Sequence, residues 1–254
     1  MSPADVVVGV AIGLVSGVLA GLFGVGGGIV MTPGIQVLLG APPIVALATP
    51  LPVIFPTALA GALAYRRRSE IDVRAAVWLM GPGLVGAVLG AWLTDHVDTT
   101  LLLLITALLL GWQAIAILRD RRRRRDPRPA TAPILGGIGA CAGLVSGLLG
   151  IGGGLVMVPL LAGWLGMPLR RALGTSLLAI VALVVPGTIV HAALGHLDLG
   201  IGLALVVGSV PGARLGAAVA LGAKERTLRL AVGGGLLAIS VAYAIDQAVT
   251  MLGR

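Results

Sequence analysis

The feature that most limits how this chain can fold is a glycine-rich motif that occurs twice. Gly21-Leu22-Phe23-Gly24-Val25-Gly26-Gly27-Gly28-Ile29-Val30-Met31-Thr32-Pro33 returns 126 residues later as Gly147-Leu148-Leu149-Gly150-Ile151-Gly152-Gly153-Gly154-Leu155-Val156-Met157-Val158-Pro159. The same offset, without a gap, pairs Gly40 and Pro42 with Gly166 and Pro168, Thr49 with Thr175, Gly61 with Gly187, and Asp72 with Asp198. Gly86 and Gly90 fall on Gly212 and Gly216 in the same way. A repeat this long is an architectural unit, so the chain is expected to consist of two homologous halves. These are residues 1–126 and 133–254, with 127–132 closing a basic linker that begins at Arg119.

Each half is too apolar for a soluble fold. Hydrophobic residues make up 57% of the chain and charged residues 11%, against about 25% charged in soluble domains. Each half holds five apolar stretches, near 5–24, 28–40, 44–65, 75–93 and 100–118, then near 133–150, 154–166, 172–192, 200–221 and 230–250. Their residues come in blocks of Leu, Ala and Gly without alternation of period two, which excludes a transmembrane barrel and points to helices. With 40 glycines and only 3% aromatics, those helices should pack through small side chains. The expectation is an all-α integral membrane protein with 8–10 crossings. The second stretch of each half is short for a bilayer core of about 30 Å, so the glycine motifs should form broken or re-entrant hairpins.

Basic residues set the orientation, because cytoplasmic loops collect Lys and Arg. Arg66, Arg67, Arg68 and Arg74 form one cluster and Arg119, Arg121 to Arg125 and Arg128 another, separated by two crossings and a loop at Asp95, His96 and Asp98. In the second half the basic loops are Arg170 with Arg171, and Lys224, Arg226 and Arg229. Positions external in one half are therefore internal in the other. The halves read as inverted-topology repeats, with basic loops cytoplasmic and both termini external. The opening Met1-Ser2-Pro3-Ala4-Asp5 lacks the positive charge of a secretory signal. Cys141, the only cysteine, reads as a small buried apolar side chain.

Inverted halves with short Gly/Pro-interrupted segments at matching positions are the sequence pointer to a transporter's central site. Gly26, Gly27 and Gly28 with Gly152, Gly153 and Gly154 let backbone N–H groups at the start of a half-helix face an anion, or serve close packing only. Thr49, Thr175 and Ser176 are polar groups within apolar stretches. Their hydroxyls suit a small oxyanion, or bond the preceding helical turn. Thr32, Gln36, Thr57, Ser16 and Thr188 are weaker candidates of the same kind. Arg214, well inside a span, could neutralise a bound anion or snorkel to the cytoplasmic face. His191 and Tyr65, repeat partners at the ends of the third stretches, read as interface anchors. The glycine motifs lack the Lys-Ser/Thr of a P-loop, and Ile29 and Leu155 break Gly-x-Gly-x-x-Gly. The arginine run is explained by topology, and the aromatics that stack on bases are scarce, so no nucleic-acid partner is expected.

The duplicated Gly-x-Gly-Gly-Gly with Met-x-Pro downstream, followed by Ala-Leu-x-Thr, resembles the sulfite exporter TauE/SafE family across most of both halves. The resemblance implies a permease without an ATPase or cofactor, moving a sulfur-containing anion such as sulfite, a sulfonate or thiosulfate. The partners implied are the bilayer, the small anionic substrate and, as an open question, a coupling proton or other ion. The family's Thr-Ser element falls on Thr175 and Ser176, whereas the first half reads Thr49-Pro50. A membrane-embedded enzyme or a scaffold without transport are the competing readings. The first would need paired carboxylates, a metal-ligand cluster or a nucleophile beside a histidine.

Overall fold

The computed structural model describes residues 2–94, 97, 99–119 and 130–252. Within these the chain is helical, without strands. The expected loop at Asp95, His96 and Asp98 and the arginines from Arg121 to Arg128 lie outside the described residues.

The first half runs through α1 (Pro3–Phe23), α2 (Gly28–Leu38), α3 (Pro43–Ala48), α4 (Pro50–Arg66), α5 (Val73–Thr94) and α6 (Thr99–Arg119). The second runs through α7 (Ala132–Leu149), α8 (Gly154–Pro159) with a π-helical turn over Leu160–Trp164, then α9 (Leu169–Ala193), α10 (Leu199–Gly222) and α11 (Glu225–Leu252). Six described segments are long and apolar enough to cross a membrane: α1, α3 with α4, α5, α7, α9 and α10. The short second stretches appear as α2 and as α8 with its π turn.

Local chemistry explains the boundaries. Ser2 caps α1 in a reciprocal box with Asp5, and Pro3 sits in the first turn, where its missing N–H is not needed. Pro42 and Pro168 open α3 and α9 in extended backbone. Pro50 and Pro52 interrupt the hydrogen-bond ladder between α3 and α4, yet Thr49 stays helical (φ −57°, ψ −32°), so the two pieces form one span. Past Pro159 the ladder slips by one residue, with Leu165 N–H donating to Leu160 C=O at 2.9 Å.

Helices of one half pair with helices of the other. α1 lies along α10, where a Cβ on Gly13, Gly17 or Gly21 would run into the carbonyls of Leu205, Ser209 and Ala213. The numbers rise together, so this pair is parallel. The repeat-equivalent pair behaves identically: Gly139, Gly143 and Gly147 of α7 meet the carbonyls of Leu79, Gly83 and Ala87 of α5. Where lipid removes the hydrophobic drive between helices, such backbone approach supplies dispersion and weak Cα–H···O contacts instead. α4 and α9 are repeat equivalents and pack antiparallel, Gly61 facing Leu177 and Gly187 facing Leu51. α6 and α11 cross in the same sense, Gly111 against Ser240 and Gly233 against Leu118. Large apolar side chains such as Val37, Leu203, Val207 and Val219 are left on the outside. Cys141 is there too: it is exposed on α7, not buried as expected, because the inward face of that helix is taken by Gly139 and Gly143 against α5.

Candidate functional site

The two glycine motifs are hairpins that meet in the middle of the molecule. α1 ends as Gly24 turns left-handed (φ 70°), and Gly26 and Gly27 (both φ 94°) carry the chain into α2. Gly150, Gly152 and Gly153 repeat this with φ of 68°, 94° and 77°. Side chains are disfavoured in that region, which accounts for glycine at these places. Gly28 and Gly154 are needed for a different reason. A Cβ on Gly28 would stand 2.8 Å from the Gly150 carbonyl oxygen, and one on Gly154 would stand 2.6 Å from the Val25 Cα. The hairpins touch back to back.

Isoleucines close the junction. A Cβ on Gly26 would lie 3.0 Å from Cγ2 of Ile54 in α4, and one on Gly152 would lie 3.1 Å from Cγ2 of its repeat partner Ile180 in α9. All six glycines singled out in the sequence are buried here, so the structure brings that set together.

Thr49, Thr175 and Ser176 are fully buried but already engaged. Thr49 Oγ1 accepts from the Asp198 N–H at 3.1 Å, and Thr175 Oγ1 accepts from the Asp72 N–H at 2.9 Å. Each therefore anchors the residue that caps the next span: Asp198 Oδ1 accepts from the Ile201 N–H and Asp72 Oδ1 from the Ala75 N–H. Asp72 also faces Arg171 at 3.6 Å. The two threonines thus serve separate loops rather than one centre. Ser176 donates to the Gly24 carbonyl at 2.8 Å and does reach a hairpin. Arg214 is exposed on α10 and is not among the residues lining the hairpin junction.

Tyr65 and His191, expected as interface anchors, are instead buried in the protein. Tyr65 donates to the Gly21 carbonyl at 2.9 Å, and His191 Nδ1 lies 3.2 Å from His196 Nδ1. Thr57 and Ser209 bond each other at 2.6 Å, joining α4 to α10, and Ser16 donates to the Gly13 carbonyl. Three other buried side chains have no hydrogen-bond partner among the described residues: Thr32, Ser146 and both ends of the Gln113 amide. Each such group costs about 1–3 kcal/mol, a standing disadvantage that calls for a reason. The sequence reading passed over Ser146 and Gln113. The signal was present in the repeat itself, since the offset of 126 puts them against Ala20 and Ile239, both apolar.

Comparison with known proteins converges on one group. The family model described as "Sulfite exporter TauE/SafE" matches residues 9–243. The chain is 30% identical over 237 residues to "Probable membrane transporter protein YunE" of Bacillus subtilis, covering 83% of this chain and 86% of that protein. It is also 30% identical over 261 residues to a "Probable membrane transporter protein" of Xylella fastidiosa, covering 96% of each. No solved structure matches.

Proposed function

Because the chain belongs to the sulfite exporter TauE/SafE family, we propose that it is a secondary transporter moving a small anion across the bacterial cytoplasmic membrane. The substrate is a sulfur oxyanion or organosulfonate such as sulfite, thiosulfate or sulfoacetate. The chain is a multi-pass membrane protein with six candidate spans, in a family of transporters.

One observation carries the finer reading, the contact of two glycine hairpins between Ile54 and Ile180. Breaks of this kind in paired repeats expose backbone groups to a substrate at mid-depth. The antiparallel packing of α4 against α9 supports inversion of the halves, since a two-fold axis relating antiparallel equivalents lies perpendicular to them and hence in the membrane plane. Basic loops are then cytoplasmic and both termini external. With the isoleucines in place the junction is occluded, and alternating access is a rocking of one set of helices that opens it to either face. The first-turn N–H groups after Gly27 and Gly153 hold the anion, and Ser176 keeps the first hairpin seated. Thr49 and Thr175 hold the caps of α10 and α5, and Arg214 snorkels. The test is transport of labelled sulfite, thiosulfate or a sulfonate into liposomes by reconstituted protein. Gly27→Leu and Gly153→Leu should each abolish it, and undiminished transport by both variants would discard the hairpin site.

A further inference from the structure

Beside the hairpins the two halves differ in polarity at a buried place. In the first half a small crevice beside the hairpin is lined by Ala20 and Phe23 of α1, Gly27 and Ile29 of the hairpin and α2, and Ile239 of α11. All its side chains are apolar. The repeat offset replaces Ala20 by Ser146, Gly27 by Gly153 and Ile239 by Gln113. The local geometry is conserved across that exchange: a Cβ on Gly27 would lie 3.3 Å from the Ala20 Cβ, and one on Gly153 would lie 3.3 Å from the Ser146 Cβ. α6, which carries Gln113, packs against α7 and α8, and its Ala114 and Ile117 belong to the same buried cluster as Leu149, Ile151 and Leu155.

By the repeat equivalence, the second hairpin faces a hydroxyl, Ser146, and the amide of Gln113 where the first faces Ala20 and Ile239. Ser146 and Gln113 are fully buried, and neither the Ser146 Oγ nor the Gln113 Oε1 and Nε2 finds a partner among the described residues. Apolar residues occupy the equivalent positions in the first half, so the fold does not require polarity there. Groups buried at a cost and left unpaired are what a ligand site looks like before its ligand arrives.

We propose that Ser146 and Gln113, beside the Gly150 to Gly154 hairpin, form the polar half of the substrate site, and that it takes a singly charged oxyanion. The assignment rests on the transporter reading above and narrows it, favouring a monoanion such as hydrogen sulfite over the dianions thiosulfate and sulfoacetate. Gln113 offers two N–H donors and a carbonyl acceptor, and Ser146 offers an O–H. Every buried polar side chain among the described residues is a hydroxyl, an amide or an imidazole, with no Arg or Lys among them. Neutral donors compensate one negative charge far better than two, because desolvation of a dianion without a cation is much more costly.

The first half supplies the test variants, Ser146→Ala and Gln113→Ile, alone and combined, in full-length protein reconstituted in liposomes. The panel is hydrogen sulfite and methanesulfonate as monoanions, with thiosulfate and sulfate as dianions. The wild type should move a monoanion in preference, and the double variant should lose about tenfold or more of that rate, what a hydrogen bond to a charged group is worth. Its unliganded melting temperature should be equal or higher, since unpaired buried groups are removed. Should the double variant fail to fold, each single variant is read by the same two measures. A smaller loss, a loss that tracks lowered melting temperature in both single variants, or transport of dianions alone overturns the assignment while leaving the transporter reading intact. Wild-type protein that moves no member of the panel overturns both.

Discussion

The Ser176 hydroxyl donates to the Gly24 carbonyl oxygen at 2.8 Å, tying α9 to the first hairpin. Pro50 stands at the equivalent place in the first half and has neither hydroxyl nor N–H to give Gly150. The second hairpin is seated by packing alone at that point, where a Cβ on Gly150 would lie 2.6 Å from the Leu47 carbonyl. Ser176→Ala should destabilise the protein by about 1–3 kcal/mol, the range for a buried carbonyl deprived of its donor. Thermal melting in detergent measures it, and Ser176→Thr should retain most of the stability.

Glycine positions separate sharply by what surrounds them. Gly17→Val and Gly143→Val place a side chain against the Ser209 and Gly83 carbonyls, and both should abolish folded yield on size-exclusion chromatography. Gly137, exposed on the same helix as Gly143, has nothing within 4 Å of its missing Cβ. Gly137→Ala should leave the yield intact and raise stability by about 0.5–1 kcal/mol through helix propensity.

Ser69 follows α4 with φ 57°, and its repeat partner Gly195 adopts φ 71° without penalty. Left-handed backbone costs an L-residue about 1–2 kcal/mol. Ser69→Gly should raise the melting temperature, offset in part by greater freedom of the unfolded chain; an unchanged or lower value would show that the Ser69 side chain contributes a contact of similar size.

Inversion can be read with thiol labelling. In a Cys141→Ala background, Arg68→Cys and Leu194→Cys put thiols at repeat-equivalent exposed positions. A membrane-impermeant maleimide applied to intact cells should label the Leu194→Cys protein only. Labelling of both variants from one side would mean parallel repeats.

The duplicated motif made the hairpins legible, because consecutive glycines at matching places leave few structural uses. The helix partners were not legible. Glycines four residues apart at 9, 13, 17 and 21 mark a smooth face on α1, yet nothing in them says that α10 covers it, since α5 and α7 carry similar faces. Thr49 and Thr175 are buried, and each hydroxyl is engaged at a separate loop. A hydroxyl in an apolar stretch looks the same whether it awaits a ligand or accepts from a backbone N–H across the fold, as both do from Asp198 and Asp72. Tyr65 was misread for a related reason: its place at the end of an apolar stretch suited an interface anchor, and only the tertiary fold brings the Gly21 carbonyl within reach.

The exchange of partners, α1 with α10 and α5 with α7, bears on how such a protein is made. A ribosome has delivered about four-fifths of the chain before α1 meets its glycine-matched neighbour, so the first span waits in the bilayer with that face covered only by lipid. The symmetry also means that a half-length chain would present the α1 face and the α5 face together, each complementary to the other on a second copy. Two such copies inserted in opposite orientations would reproduce the cross-half helix pairings seen here, so with the halves inverted as proposed the present chain would have the form of a dual-topology dimer joined end to end.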